Sequence, residues 1–281
     1  SFAASVPMSE EASLECATST KIPDKIHITT IEYWPYYRQS RERGADVCVR
    51  SEGFIADVVA RLANMVGFEY EFSLVKDSKY GMKTPAGTWS GMIGEVQRKE
   101  ADLAAAPITV SSKRLEAVDF TLPLLRSGVV ILYKKPGNNE VLPFTDVKSL
   151  LEAEIPVGTT EGSSTAHMLS TTQDKDLLRL WLAMRRHNKF PKSTQEGLDL
   201  VRQGNYAFLA EKDSAILAER SRPCDIAIVG DTLMDKDYAL AVSIGSPLRA
   251  PLNKALAEMH EKGEITQLFN KHWEDQCSAG N

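Results

Sequence analysis

No apolar run in this sequence approaches the roughly 18 residues that a membrane-spanning helix requires; the longest, such as Ser127 to Tyr133, are far shorter. Nothing here is therefore expected to cross a bilayer. An excess of positive charge is missing too. With 33 Lys and Arg against 38 Asp and Glu, the formal net charge is −5, and no basic stripe exists to neutralise phosphates, which argues against nucleic acid as a partner. Histidine is scarce: His27, His167, His187, His260 and His272 are scattered, none with a carboxylate at a telling interval, and each reads as a surface or structural residue. There is no Gly-x-Ser-x-Gly, no phosphate-loop lysine and no clustered metal-ligand pattern, so neither catalysis, nor a metal, nor a cofactor is expected. Asn-x-Ser/Thr acceptors are also absent, which is unusual but permissible for an extracellular domain. The chain opens without an initiator methionine or a charged-then-apolar leader, and Ser1 to Thr20 reads as a mature terminus or the edge of a longer chain.

Cysteine is rare but even in number. Cys16, Cys48, Cys224 and Cys277 include no Cys-x-x-Cys pair and no histidine at zinc-ligand spacing. Two disulfides are the natural reading and four buried thiols the bland one; four cysteines admit three pairings, and oxidising surroundings are favoured. The 281 residues suit two lobes of about 100 to 150 residues each, and 43% hydrophobic with 25% charged residues is ordinary globular composition.

Strand and helix signals alternate. Ile26 to Ile31 is β-branched and alternating before Trp34-Pro35 breaks it, and Arg38 to Ser51 reads as a polar loop. Phe54, Val58, Val59, Leu62, Ala63 and Val66 recur at helical spacing until Gly67. Phe68 to Val75 is a strand, Trp89 to Arg98 a helix and Ala101 to Ala106 a strand leaving through Pro107, the pattern of an α/β lobe with a mainly parallel sheet whose ligand sites lie past the strands' carboxyl ends. After a short β run at Val129 to Tyr133, the turn cluster Lys134 to Asn139 marks a crossover. In the second lobe Ile155 to Gly158 leads into the hydroxyl-rich Thr159 to Thr165, which caps a helix, and Tyr206 to Leu209 is a strand ending near Glu211. Helices near Leu248 to His260 and Ile265 to Trp273 close the chain. The expected division is an extension over 1–24, a first lobe over 25–133 and 237–281, and a second over 134–236.

Three places carry binding chemistry. Arg114 lies just past the strand exit, where a guanidinium could grip a carboxylate with two parallel hydrogen bonds; a solvated helix charge is the bland reading. Pro107 offers a carbonyl, and Thr109 a hydroxyl and a backbone donor. Ser164 and Thr165 stand where a helix amino end exposes N–H groups, although an ordinary N-cap would look the same. Glu211 supplies an anion. Together these groups would satisfy both charges of a zwitterion, as burial of an unpaired charge costs several kcal/mol.

Asp102-Leu-Ala-Ala-Ala-Pro107-Ile-Thr109-Val-Ser-Ser-Lys-Arg114 resembles the amino-acid-gripping segment of ionotropic glutamate receptors, with Tyr80-Gly81 and Thr88-Trp89-Ser-Gly-Met-Ile-Gly-Glu95 upstream of it. The likeness continues through Leu132-Tyr-Lys134-Lys135, Gly158 to Thr165, Tyr206 to Glu211 and Arg222-Pro-Cys224-Asp225, covering nearly everything from Lys25 to Cys277. It implies a two-lobed, periplasmic-binding-protein-like (type II) α/β clamshell with a central sheet in each lobe. By this resemblance, Arg114 binds the ligand α-carboxylate with the N–H groups of Thr109 and Ser164. The ammonium meets the Pro107 carbonyl, the Thr109 hydroxyl and Glu211, and Thr165 holds a distal carboxylate. Phe54 takes the place of an aromatic lid, Tyr238 that of an aromatic near the hinge, and Glu32 with Thr194 that of a pair bridging the closed lobes. The resemblance implies a bridge between Cys224 and Cys277, and with it a second between Cys16 and Cys48.

The implied function is that of the extracellular ligand-binding domain of a glutamate-gated cation channel in the plasma membrane. It takes a free α-amino acid as ligand, closes around it, and works within a tetramer whose binding domains pair as dimers. Thr160, Ala210 and Ser214 replace bulkier residues of many relatives. The absence of a bulky wall at Ala210 favours L-glutamate over glycine and suggests tolerance of larger neutral amino acids. Family members are split by membrane segments after the Lys134-Lys135 region, whereas here the halves run on through Pro136 to Thr145, as if joined by a short turn. A glycine-selective receptor domain and a secreted or periplasmic amino-acid-binding protein are the alternatives; an enzyme on this fold would need a catalytic constellation that the sequence does not offer.

Overall fold

In the computed structural model, which describes residues 14–16, 25–42, 48–138 and 140–278 (the backbone alone at 14–16, 41–42 and 48), strands and helices alternate over most of the chain. The described residues up to Leu125 form one compact unit with Asp237–His272, and Arg126–Lys236 form a second with those from Trp273 onward.

The first unit begins with β1 (Leu14–Cys16) and β2 (Lys25–Thr30). The segment expected to be a polar loop is instead an antiparallel pair, β3 (Arg38–Glu42) and β4 (Cys48–Glu52). Its residues are polar, so no hydrophobic alternation betrays the strands. The backbone ladder carries them, with Arg38 bonded to Glu52 and its guanidinium 4.2 Å over the Trp34 ring. Helix α1 (Phe54–Val66) matches the expected span and stops at Gly67, which takes a left-handed conformation and returns its N–H to the Ala63 carbonyl. Then come β5 (Glu69–Leu74), α2 (Gly91–Gln97), β6 (Leu103–Thr109), a 3-10 turn at Arg114–Glu116 and β7 (Val118–Lys134). Strand β2 pairs parallel with β5 and with β6. Met92, Ile93, Val96, Ala104, Ile108 and Val118, all fully buried, belong to the core between α2 and the sheet. The larger of these, Met92, Ile93, Val96, Ile108 and Val118, each contribute about 1.5–3 kcal/mol by leaving water.

β7 is much longer than the run Val129 to Tyr133 that suggests it, because Pro123, Gly128 and several polar residues mask its first half. The chain passes from the first unit to the second inside it. The second unit continues with α3 (Val147–Glu152), β8 (Val157–Thr159), α4 (Ser164–Ser170), α5 (Lys175–His187), α6 (Thr194–Gln203), β9 (Ala207–Glu211), α7 (Lys212–Arg220) and β10 (Ile226–Ser243). β9 lies between β7, antiparallel, and β8, parallel. Val129, Ile131, Ala207 and Leu209 face one core, while Val130, Leu132, Phe208 and Ala210 face another. A sheet buried on both faces needs an unbroken apolar run, which is why Val129 to Tyr133 shows no polar alternation. β10 carries the chain back to the first unit, where it pairs antiparallel with β6 before α8 (Arg249–Glu261) and α9 (Glu264–His272).

Residues from Trp273 go with the second unit for visible reasons. Cys277 is bonded to Cys224 across a sequence separation of 53, and Trp273, wholly buried, donates its indole N–H to the Asp213 carbonyl. In the β1–β4 ladder Cys16 stands opposite Cys48, but their side chains, and with them the expected second bridge, lie outside the described residues. Among the described residues no helix is long and apolar enough to cross a membrane.

Candidate functional site

Arg114 is set by the exit from β6. After Thr109 the backbone turns, with the Ser111 hydroxyl accepting from Arg114 N at 3.3 Å and the Ser111 carbonyl accepting from Leu115 N at 3.0 Å. Serine in such a turn stabilises it through this local bond. The guanidinium is folded back: its Nη1 donates to the Thr109 carbonyl at 2.8 Å, and Nε and Nη2 donate to the Gly81 carbonyl at 3.4 and 3.2 Å. Three of its five N–H groups are thus engaged, and the remaining two lie one on each terminal nitrogen, the arrangement that receives a carboxylate in two parallel bonds. Burial pulls the Arg114 pKa below the ordinary guanidinium value, with Tyr80 opposing the shift. The group still stays charged at neutral pH.

Thr109 and Tyr238 are register partners across β6 and β10, and the β2 ladder stops at Ala104, so Pro107 and Thr109 lie past its end. Tyr238 packs edge-on to Tyr36, which also meets Phe54. The Phe54 ring is fully buried, flanked by Tyr36 and Phe269, and therefore sits in the interior of the first unit. Glu32 follows β2 and accepts from Gln39 N at 3.0 Å.

In the second unit Ser163 is the cap of α4, its hydroxyl accepting from Ala166 N, so the ordinary N-cap role falls one residue ahead of Ser164. Ser164 is left to donate its hydroxyl to Glu211 Oε1 at 3.0 Å. Thr165 is buried in the first turn. The same Glu211 oxygen receives Lys236 Nζ at 2.7 Å, and the Lys236 side chain is only 8% exposed. Glu211 thus already grips an ammonium in this structure. Thr194 starts α6 and is exposed, behind the cap Ser193.

Two groups escaped the sequence reading: Lys236 is 25 residues from Glu211, and the Gly81 contribution is a backbone carbonyl that any residue type would display. Two histidines take structural roles, His272 meeting Asp57 at 2.7 Å and His27 meeting Glu71 at 2.7 Å. Both carboxylates come from distant parts of the sequence, and both pairs tie elements together.

Residues 24–137 match the family described as "Ligated ion channel L-glutamate- and glycine-binding site", a stretch that includes Arg114, Thr109 and Pro107. Over 96% of its length the chain is 24% identical to a "Probable glutamate receptor" of Lithobates berlandieri, covering 77% of that protein. It is 25% identical to a "Probable glutamate receptor" of Gallus gallus (89% of this chain, 73% of the relative) and 24% identical to "Glutamate receptor 3" of Mus musculus (91% and 43%). The match to the Lithobates protein runs over 382 residues against the 281 here, so the relative carries a stretch within the matched span that has no counterpart in this chain. The matched family over residues 24–137, the relatives whose matches run through both units and the mixed α/β architecture together support the reading of this chain as a ligand-binding domain of the ionotropic glutamate receptor type.

Proposed function

We propose that this chain is the extracellular ligand-binding domain of a glutamate-gated cation channel, taking a free α-amino acid, L-glutamate by preference. The observation that carries the reading is the half-spent guanidinium of Arg114: two backbone carbonyls hold it, and one N–H group on each terminal nitrogen is left for a carboxylate. A half-buried cation so held favours an anion beside it, and the α-carboxylate fits the fork. Glu211 supports the other half of the zwitterion, because an acid that binds the Lys236 ammonium can bind a ligand ammonium. Ligand contacts made only in a closed state would favour that state and so drive gating, with Ser164, Thr165 and Glu211 as further partners. In the whole receptor such domains would pair as dimers within a tetramer. The Cys224–Cys277 bridge supports an oxidising, extracellular setting.

Glycine is the competing ligand, since the matched family's description covers both. Thr165, buried in the first turn of α4, is the expected partner of a distal carboxylate, which favours L-glutamate. Titration calorimetry across the common amino acids decides: L-glutamate is expected to bind more tightly than glycine, and the reverse order sinks the preference. Arg114→Ala is expected to cost about 3 to 5 kcal/mol, roughly two to four decades in Kd, with Arg114→Lys recovering little. Binding that survives Arg114→Ala unchanged would refute the site.

A further inference from the structure

We propose that Gly81 is a positioning residue, whose carbonyl aims the Arg114 fork and whose missing side chain is what allows it to do so. The inference rests on the carboxylate-binding reading of Arg114 and deepens it. The Gly81 oxygen takes Nε and Nη2 together, while the Thr109 oxygen takes Nη1. With these three directions occupied, rotation about the last side-chain bonds is arrested, and one N–H group is left on each terminal nitrogen to meet a carboxylate. Thr109 belongs to a sheet strand and is fixed by it. Gly81 lies on the strap between β5 and α2, so something else must hold its carbonyl still.

That support is the first turn of α2. Met92 N donates to the Lys79 carbonyl and Ile93 N to the Tyr80 carbonyl, each at 3.1 Å, while Ser90 N donates to the Met82 carbonyl at 3.0 Å. The strap is therefore bonded to the helix on both sides of Gly81. At this position φ is +132°, and an added Cβ would fall 2.6 Å from the Ile93 Cβ and 2.9 Å from the Ser90 carbonyl oxygen. Ile93 is wholly buried and has nowhere to retreat. Any side chain at position 81 must push the strap away from α2, and the carbonyl moves with it. The cost then falls on the orientation of Arg114.

The test compares Gly81→Ala with Gly87→Ala, a substitution on the same strap at φ +84° with no atom within 4 Å of the new methyl. In the ligand-free 15N-labelled protein, the Arg114 Nε–H resonance is assigned by its loss in Arg114→Lys. It is expected to be sharp and slow to exchange in wild type and Gly87→Ala, and to shift or broaden away in Gly81→Ala. L-glutamate affinity should fall about tenfold or more in Gly81→Ala and stay within about twofold in Gly87→Ala. In an Arg114→Lys background Gly81→Ala should add no further loss, since an ammonium cannot use the paired geometry. An unaltered Nε–H signal in Gly81→Ala, or an equal loss of affinity in both backgrounds, overturns the proposal. If Gly81→Ala does not fold, the wild-type signal decides alone: exchange as fast as that of the exposed Arg179 overturns it. Failure of the wild type to bind any amino acid refutes the functional reading instead and leaves the resonance result to judge the positioning.

Discussion

The carboxylate of Glu211 is shared between the Ser164 hydroxyl and the Lys236 ammonium, and this single oxygen shows how much a residue's role depends on partners far away in the chain. Lys236 is nearly buried, so its charge is stabilised by that pairing more than by water. Lys236→Met should lower the stability of the ligand-free protein by about 1–3 kcal/mol in urea unfolding, because the carboxylate loses the cation it meets at 2.7 Å. No change in the midpoint would mean that water serves Glu211 equally well. Arg114 illustrates the opposite case. Its type and its place after a strand exit make it visible in the sequence, whereas the carbonyls of Gly81 and Thr109 that orient it carry no side-chain signature.

At the scale of elements, α1 and α9 are held by more than apolar contact. Asp57 on α1 accepts from Lys271 and His272 on α9, and Arg61 meets Glu264 through two bonds. Burial pushes the Asp57 carboxyl up, but the bonds from His272 and Lys271 outweigh it and hold the pKa below the usual value of 3.8. A depressed folded-state pKa contributes stability that is complete above the unfolded value and is lost as pH falls through the folded one. Wild type should therefore exceed Asp57→Asn by about 1 kcal/mol at neutral pH, with the gap closing as pH drops below 3.8. Chemical unfolding at a series of pH values measures it, and a gap that widens in acid would contradict the sign. The α1 boundaries were readable from period and a terminal glycine. The β3–β4 pair was not, since polar strands are recognised only by the ladder they form.

For the whole molecule, the chain enters the second unit within β7, leaves it within β10 and rejoins it after α9. The last return is fastened by Cys224–Cys277, which closes a 53-residue separation. Replacing both cysteines by serine should cost about 2–4 kcal/mol by restoring freedom to the unfolded chain. Urea unfolding of the double variant, against wild type with and without reductant, checks this. Reductant should lower wild type at least to the level of the variant, and equal midpoints for all three would show that the bridge contributes nothing.

Local chemistry in the sequence determined the alternation of strands and helices, the absence of a spanning helix, the family resemblance and the charged candidates Arg114 and Glu211, because period, turn residues and charge are written residue by residue. Only the tertiary structure decided that Lys236 occupies Glu211, that Gly81 holds Arg114, that Phe54 is interior and that Trp273 serves the second unit. These depend on which distant atoms come within hydrogen-bond or van der Waals reach, and such distances are set by packing of the whole chain.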